Sequence, residues 1–406
     1  MHFKSFFVKK EKINFFDFLL KLTFKGKKPT NQQIKKAILE VSDIFTFLET
    51  ERQFNYMREE RLLNGYLLYF VPVNLSKIYS IFKELLRHSV FFSKTKLKIL
   101  DIGCGPSSAL VPLFEFINDG ITNLEHIRYV GIESEDKAIE AGEKIIKELK
   151  PEKLSLKYEF IKADASDFKL YLKLKDIKPD IVIFSNSSGE LFDKKSFKIE
   201  DFINLIKLLT YNNSYLTLIL IEPATKKASM RLHRIRDRLI EELGLYPYSP
   251  CLNNLPCPAL KANNWCYEQR KWLPPDYLSF LSSMGLQVNY LKFSYIVLRK
   301  DRANIKDTFR LSALPLGNTS QLQASEEIIK NTSHLLNEKG KSRLWACWKG
   351  ELIDMEKLKR DFKEEDLWLK IRKGDYFSID KYITLSERKV RIPKNCNIKI
   401  LYSPGL

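Results

Sequence analysis

Leu75, Ile78, Tyr79, Phe82, Leu85 and Leu86 recur at spacings of three and four, the stripe of a helix that buries one face. Residues 31–89 read as helical on this pattern, with Asn74 as the expected cap of the last helix. From Leu97 the rhythm changes. Apolar runs of strand length alternate with amphipathic stretches, which predicts strands at 98–102, 129–133, 159–162, 181–185 and 215–222. Helices fit between them, at 135–149 and 202–209. Such alternation implies a parallel sheet covered by helices on both faces, an α/β fold. Further on, 275–284 looks helical, and 286–298 is rich enough in β-formers for the last one or two strands. Residues 303–340 are polar and weakly patterned, expected as a linker with one short helix. Residues 341–406 read as a small β domain, with turns at Lys349-Gly350 and Lys373-Gly374-Asp375. The expected organisation is a basic helical region over 1–92, an α/β domain over 93–302 with a Cys-rich insertion at 246–270, the linker, and the β domain.

Composition narrows the class. A chain of 406 residues is too long for one ordinary core, and 44% hydrophobic with 29% charged residues is globular. The longest apolar runs are too short to span a bilayer, and there is no secretory h-region, so no membrane is expected. The cytoplasm is the expected compartment, with mitochondria as the alternative for a eukaryotic chain. Thiols there stay reduced, which disfavours disulfides. The net charge is +18, and residues 1–98 hold 19 Lys/Arg against 9 Asp/Glu. A surplus of this kind attracts polyanions. Solvated lysine-rich helix faces explain the charge equally well.

Residues 97–108 read Leu-Lys-Ile-Leu-Asp-Ile-Gly-Cys-Gly-Pro-Ser-Ser, a strand followed by a tight turn and a helix start. Gly103 and Gly105 let the backbone approach a ligand that a Cβ would exclude. An acidic residue ending the first strand, Asp101, followed by Gly-x-Gly, resembles motif I of class I S-adenosylmethionine-dependent methyltransferases, a Rossmann-like fold. Ser107 stands where that motif has its third small residue. Glu133 ends the second strand, where a carboxylate can bind ribose hydroxyls. Asp164 follows the third, near where such enzymes place an acidic group by the adenine amine. The candidate S-adenosylmethionine site is therefore Asp101, Gly103, Gly105, Glu133 and Asp164. The loop after the fourth strand, Phe184-Ser-Asn-Ser-Ser-Gly-Glu-Leu, lacks the Asn/Asp-Pro-Pro-aromatic motif that positions exocyclic amines. No catalytic residue is assigned.

Cys251, Cys257 and Cys266 lie in one Pro/Asn-rich loop with neither helical nor strand periodicity. A bound metal or iron–sulfur cluster is the first reading. A fourth thiolate is needed, and Cys347 and Cys396 are the candidates, since Cys104 belongs to the cofactor turn. Structural zinc sites usually come as two short Cys-x₂₋₄-Cys knuckles. The wider gaps here favour a cluster, with zinc as the alternative.

The chain resembles the methyltransferase-like small-ribosomal-subunit assembly proteins of mitochondria and bacteria. The resemblance rests on Asp101-Ile-Gly-Cys-Gly-Pro, on Glu222-Pro-Ala-Thr with the basic helix 231–238, and on Cys251…Cys257-Pro…Trp265-Cys266…Gln269-Arg270. It continues through Phe293-Ser-Tyr-Ile-Val-Leu and Cys347…Gly350, with an upstream match at Tyr56-Met and Asn64–Pro72, and so spans roughly 50–375. Two positions depart from the family: Leu252-Asn253 replaces its usual His-Asp, and Ala224 replaces a glycine. The resemblance implies an iron–sulfur cluster, a [4Fe–4S] centre, bound by Cys251, Cys257, Cys266 and Cys347. It also implies binding to small-subunit ribosomal RNA. Three functions follow: an RNA-associated small-subunit protein acting in ribosome assembly or translation, an active rRNA methyltransferase, or a small-molecule methyltransferase with a zinc loop. The helix carrying Arg231, Arg234, Arg236 and Arg238 reads as an RNA face or as a solvated one.

Overall fold

The computed structural model describes residues 7–8, 13–46, 56–88, 91, 93–194, 196–211, 213–284, 289–309 and 327–404. After a short pair β1 (Phe7–Val8) and β2 (Ile13–Asn14), the α/β strands are β3 (Lys96–Ile102), β4 (His126–Glu133), β5 (Ser155–Lys162), β6 (Ile181–Ser185), β7 (Thr217–Pro223), β8 (Tyr246–Ser249), β9 (Glu268–Lys271) and β10 (Tyr290–Arg299). Their order in the sheet is β5-β4-β3-β6-β7-β10-β8, with β9 on β10. β3 pairs parallel with β4 and β6, and β4 parallel with β5, whereas β10 runs antiparallel to both β7 and β8. A sheet whose order reverses at β3, with one antiparallel strand next to its far edge, is the class I methyltransferase arrangement. Strand order reversal opens a crevice at the carboxyl ends of β3 and β6, and ligands of such sheets bind there.

The chain divides into two compact units. The first comprises Met1–Leu86, Phe92–Lys194 and Trp272–Leu291; the second comprises Arg87–Phe91, Lys195–Lys271 and Lys292–Leu406.

In the first unit, β3 and β4 begin with one exposed face and end fully buried, as their apolar carboxyl halves require. The N-terminal part is helical: Phe15–Thr23, Asn31–Thr46, Glu60–Gly65, a π-helical turn at Tyr66–Phe70, and Val71–Leu85. Leu75, Ile78, Phe82, Leu85 and Leu86 are all buried, as their spacing predicts. Tyr79 is half-buried, its ring 4.7 Å from that of Phe116. Asn74 is not a cap. It lies inside the Val71–Leu85 helix, 5% exposed, because that helix continues without a break from the π-helical turn Tyr66–Phe70, so position 74 is no helix start. The 275–284 segment winds as a 3₁₀-helix, Asp276–Met284.

In the second unit, the expected linker contributes structure of its own: a 3₁₀-helix at Ile305–Phe309 and the strands β11 (Ile328–Asn331) and β12 (Leu336–Glu338). With β13 (Lys341–Trp348), β14 (Glu351–Leu358), β15 (Tyr376–Ile379), β16 (Ile383–Ser386), β17 (Lys389–Arg391) and β18 (Ile398–Tyr402) they form a second sheet, ordered β16-β17-β14-β13-β11-β15-β18 with β12 on β13. Alternation along β13 sends Leu344, Ala346 and Trp348 into a core with Trp368, Met355 and Phe377. The same alternation puts Cys347 on the other face.

Gly65 marks a close helix contact in the first unit. A Cβ there would stand 2.1 Å from the Ala37 carbonyl oxygen and 2.8 Å from Val41 Cγ1. Gly65→Ala should therefore destabilise the chain by about 1–3 kcal/mol through overpacking, read as a lower midpoint in urea unfolding.

Candidate functional site

The turn after β3 is built on left-handed backbone. Gly103 has φ +67°, Gly105 φ +51° and Ser107 φ +59°. The Gly103 and Cys104 amides both donate to the Ile132 carbonyl, at 2.9 and 3.0 Å, which locks the turn to the end of β4. Asp101 is 2% exposed and accepts from the Tyr129 hydroxyl at 2.9 Å. Burial pushes its carboxyl up to about 7; the Tyr129 hydrogen bond opposes this and nearby Glu133 adds to it. Glu133 accepts from the Gly105 amide at 2.8 Å, and from the Ser134 and Glu135 amides at 2.8 and 3.2 Å. Burial still raises its pKa against those donors. Asp164 follows Ala163, whose amide donates to the Glu133 carbonyl at 3.0 Å, and is exposed. Burial pushes its pKa up, but Lys194 and Ser166 outweigh that and hold it low.

Several neighbours of the turn are given no site role by the sequence. Ser187 donates to the Ile102 carbonyl at 2.5 Å, and a Cβ on Gly103 would meet Ser187 Cβ at 2.4 Å. Asn186, with φ +59°, donates to Asn74 Oδ1 at 3.0 Å, and Asn74 donates to the Tyr66 hydroxyl at 3.2 Å. Tyr66 lies on the π-helical turn and feels the charges of Glu190, Glu133 and Asp101, which add to burial in raising its pKa. Strained or π-helical backbone of this kind clusters at functional sites. Met57 closes over Gly105 at 3.5 Å from a Cβ placed there, and Arg58 pairs with Glu135 at 2.9 Å. The segment 56–74 thus covers the cofactor turn. Tyr66 falls in the 64–72 stretch that carries the resemblance, but its place beside the turn is not legible there, since a one-residue helix insertion leaves no composition signal.

The second candidate site lies wholly in the second unit. All six cysteines are free; Cys257 is buried, while Cys251, Cys266 and Cys347 are half-buried. The sulfurs of Cys257, Cys266 and Cys347 are desolvated and each feels the charge of Cys251. Burial pushes the Cys257 thiol up to about 11, with Cys251 adding to the effect. It pushes Cys266 up to about 12, with Glu268, Cys251 and Cys257 adding. Cys347 rises well above the usual thiol range through burial and then Cys266, Cys251 and Cys257. Cys347 is therefore brought to the three loop cysteines. Cys396 is not: it packs in the core of the second sheet at 2% exposure and interacts with Asp380. Among the described residues, no three His, Cys, Asp or Glu side chains are grouped tightly enough to hold a single metal ion.

Tyr376, Lys261 and Gly350 fix the loop to the second sheet. The Tyr376 hydroxyl donates to the Pro250 carbonyl at 3.2 Å, and Lys261 pairs with Glu351 at 3.4 Å. Gly350, with φ +80°, lets the β13–β14 turn approach Leu255, whose Cδ1 would be 2.4 Å from a Cβ at that position.

The arginine helix, Lys226–Leu243, is not one solvated basic face. Arg236 is 2% exposed and turned into the cysteine loop. Arg231 pairs with Glu222 at 3.5 Å, and Arg238 with Glu200 and Glu242 at 2.7 and 2.5 Å. Only Arg234 of the four is exposed. By contrast, Lys21, Lys27, Lys28, Lys35 and Lys36 are exposed on the first helices and the turn between them.

A family model described as mitochondrial small ribosomal subunit Rsm22 matches residues 62–360. No curated protein matches the chain. Similar solved structures include precorrin-6y C5,15-methyltransferase from Geobacter metallireducens, at 15% identity over 54% of this chain and 86% of that one, with a TM-score of 0.31. A SAM-dependent methyltransferase from Agrobacterium tumefaciens is 12% identical over 55% and 62%, with a TM-score of 0.32. An rRNA methylase from Streptococcus thermophilus is 12% identical over 54% and 94%, with a TM-score of 0.27. These likenesses are low, and the fold assignment rests on the strand order alone.

Asp101 binds its proton more tightly in the folded chain, near pH 7, than the ordinary aspartate value of about 3.9. Its contribution to stability is therefore full below about pH 4 and is lost as pH rises through about 7. The slope is at most about 1.4 kcal/mol per pH unit. Urea unfolding across this window should show Asp101→Asn with a flatter decline than the parent; parallel curves would contradict the burial.

Proposed function

The chain belongs to the family of the mitochondrial small ribosomal subunit Rsm22, and from that premise we propose that it is a small-subunit protein that binds ribosomal RNA in assembly or translation. In this reading it holds an iron–sulfur cluster on Cys251, Cys257, Cys266 and Cys347 and binds S-adenosylmethionine at the β3 turn. The observation that carries the reading is the gathering of the four thiols, three from one loop and one from β13.

The donor set fits a cluster. All four groups are sulfur, and none is oxidised to a disulfide. Arg236 Nε and Trp265 Nε1 are buried beside the loop cysteines with no hydrogen-bond partner, and cluster sulfur accepts such donors. Four thiols would also serve a zinc ion, which takes all its sulfurs at about 2.3 Å from one point. A cubane spreads its thiolates over separate irons, and the wide sequence gaps between these cysteines favour it. When bound, a cluster here supplies a cross-link between the 246–270 insertion and the second sheet. The chain's own residues supply the rest: Pro250 and Leu255 seat the insertion, and burial excludes water from the thiols.

The residues at the β3 turn also fit their ligand. Gly103 and Gly105 present bare backbone, buried Asp101 faces the turn, and Glu133 ends β4 with its carboxylate already oriented by the Gly105 amide. S-adenosylmethionine, when bound, supplies an activated methyl group. A second reading, an active rRNA methyltransferase, is favoured by Asn186, whose side-chain amide stands in strained backbone at the end of β6, next to the residue that touches Gly103. No described helix is long and apolar enough to cross a membrane. We place the chain in the compartment of its ribosome, cytoplasmic or mitochondrial.

Two experiments test the proposal. Cys347→Ser should lower the iron and sulfide recovered from anaerobic preparations, while Cys396→Ser should not; equal losses would remove Cys347 from the ligand set. For RNA, the exposed lysines matter more than the paired arginines. Replacing Lys27, Lys28, Lys35 and Lys36 with Gln should flatten the dependence of log K on log salt, by about 0.9 for each phosphate that is no longer neutralised. An unchanged slope in binding to small-subunit RNA would make these lysines a solvated face.

A further inference from the structure

Three side chains on one face of the Lys226–Leu243 helix hold the cysteine loop at separate points. His233 Nε2 donates to the Cys266 carbonyl at 3.1 Å, and Asp237 accepts from the Cys257 amide at 3.0 and 3.1 Å. Between them, Arg236 donates through Nη2 to the Asn253 carbonyl at 2.6 Å and through Nη1 to the Leu255 carbonyl and to Asp237. Positions i, i+3 and i+4 share a helix face, so the three form one anchoring row. A carbonyl oxygen only accepts, so His233, whose pKa burial pushes down to about 4, is neutral and carries its proton on Nε2.

We propose that Arg236 is the positioning residue of the thiol site, holding Cys251 and Cys257 in place before any cluster arrives and offsetting negative charge there once one is bound. The fork spans Asn253 and Leu255, the stretch between those two cysteines, and a planar guanidinium fixes two carbonyls at once. The charge follows from burial. Arg236 is 2% exposed, its salt-bridge partner is Asp237, and its Nε has no partner at all. A buried cation so incompletely matched is costly unless further negative charge stands nearby. Thiolate ligands at Cys251 and Cys257 would provide it. Consistent with that proximity, burial lowers the Arg236 pKa but Cys251, Asp237 and Cys257 together hold it above its ordinary value. A neighbouring cation favours the more negative, reduced state of a cluster and so raises its potential.

The charge half of this inference rests on the cluster reading above; the positioning half does not. The full chain is compared as Arg236→Gln, which loses the charge, and Arg236→Lys, which keeps it but loses the fork, with circular dichroism as the folding control. In metal-free protein, alkylation by iodoacetamide followed by mass spectrometry should show Cys257 modified roughly tenfold faster in both variants, as buried thiols react only on loop opening. After anaerobic reconstitution with ferrous iron and sulfide, Arg236→Gln alone should shift the one-electron equilibrium toward the oxidised form by about tenfold, or about 59 mV to the negative. Alkylation at the parent rate in a folded variant overturns the positioning role. An unshifted potential in Arg236→Gln overturns the charge role. A parent chain that takes up neither iron nor sulfide ends the cluster reading and the charge role with it, and the alkylation rates still decide positioning. Should Arg236→Gln fail to fold, Arg236→Lys supplies that rate.

Discussion

Desolvation of sulfur is the constraint around which the second unit is arranged. A thiol moved out of water keeps its proton, and neighbouring thiols make a second ionisation harder still. Cys257, Cys266 and Cys347 all show this: each is raised first by burial, Cys251 adds to all three, and Glu268 adds further to Cys266. A protein that packed these groups for hydrophobic burial alone would need no cation beside them and no row of loop anchors. Here a helix supplies His233, Arg236 and Asp237 to one loop, and a sheet supplies Cys347 from the face turned away from its own core. Geometry of that kind is expected of a ligand set held ready.

The first unit follows a different rule. Its site is made of backbone, and side chains mainly fix the backbone in place. Gly103, Gly105 and Ser107 adopt left-handed conformations, the Ile132 carbonyl receives two amides, and the Glu133 carboxylate gathers three. The 56–74 segment then covers the turn through Met57, Arg58 and Tyr66. A covered turn with a buried polar chain, Tyr66–Asn74–Asn186, suits retention of a ligand as readily as its turnover.

The strands and the cofactor turn are legible in the sequence because both rest on local chemistry. Apolar runs mark buried parallel strands, and Asp-x-Gly-x-Gly marks a turn that only small residues allow. The three loop cysteines are legible for the same reason, being close in sequence. Assigning Cys347 rather than Cys396 comes from family resemblance; in the structure, alternation along β13 separates the two, exposing one sulfur toward the loop while Cys396 enters the core. What sequence does not supply is the partner of each polar group. Asn74 looks like a cap, and the four arginines look like one basic face, until the tertiary structure gives Asn74 and three of the arginines separate neighbours: Tyr66 and Asn186 for Asn74, Glu222 for Arg231, the cysteine loop for Arg236, and Glu200 for Arg238. The strands β11 and β12 escape sequence patterning for different reasons: β11 lies between β13 and β15, but its buried Lys330 and Asn331 read as polar, whereas β12 pairs only with β13 and is largely exposed.

The proposed function turns on the four sulfurs acting together as ligands. Iron, zinc and acid-labile sulfide should therefore be measured in the unmodified full chain, purified without exposure to oxygen. About four irons and about four sulfides per chain are expected, the content of a cubane held by four thiolates. One zinc per chain without sulfide, or four thiols that remain fully titratable with no metal bound, would contradict it.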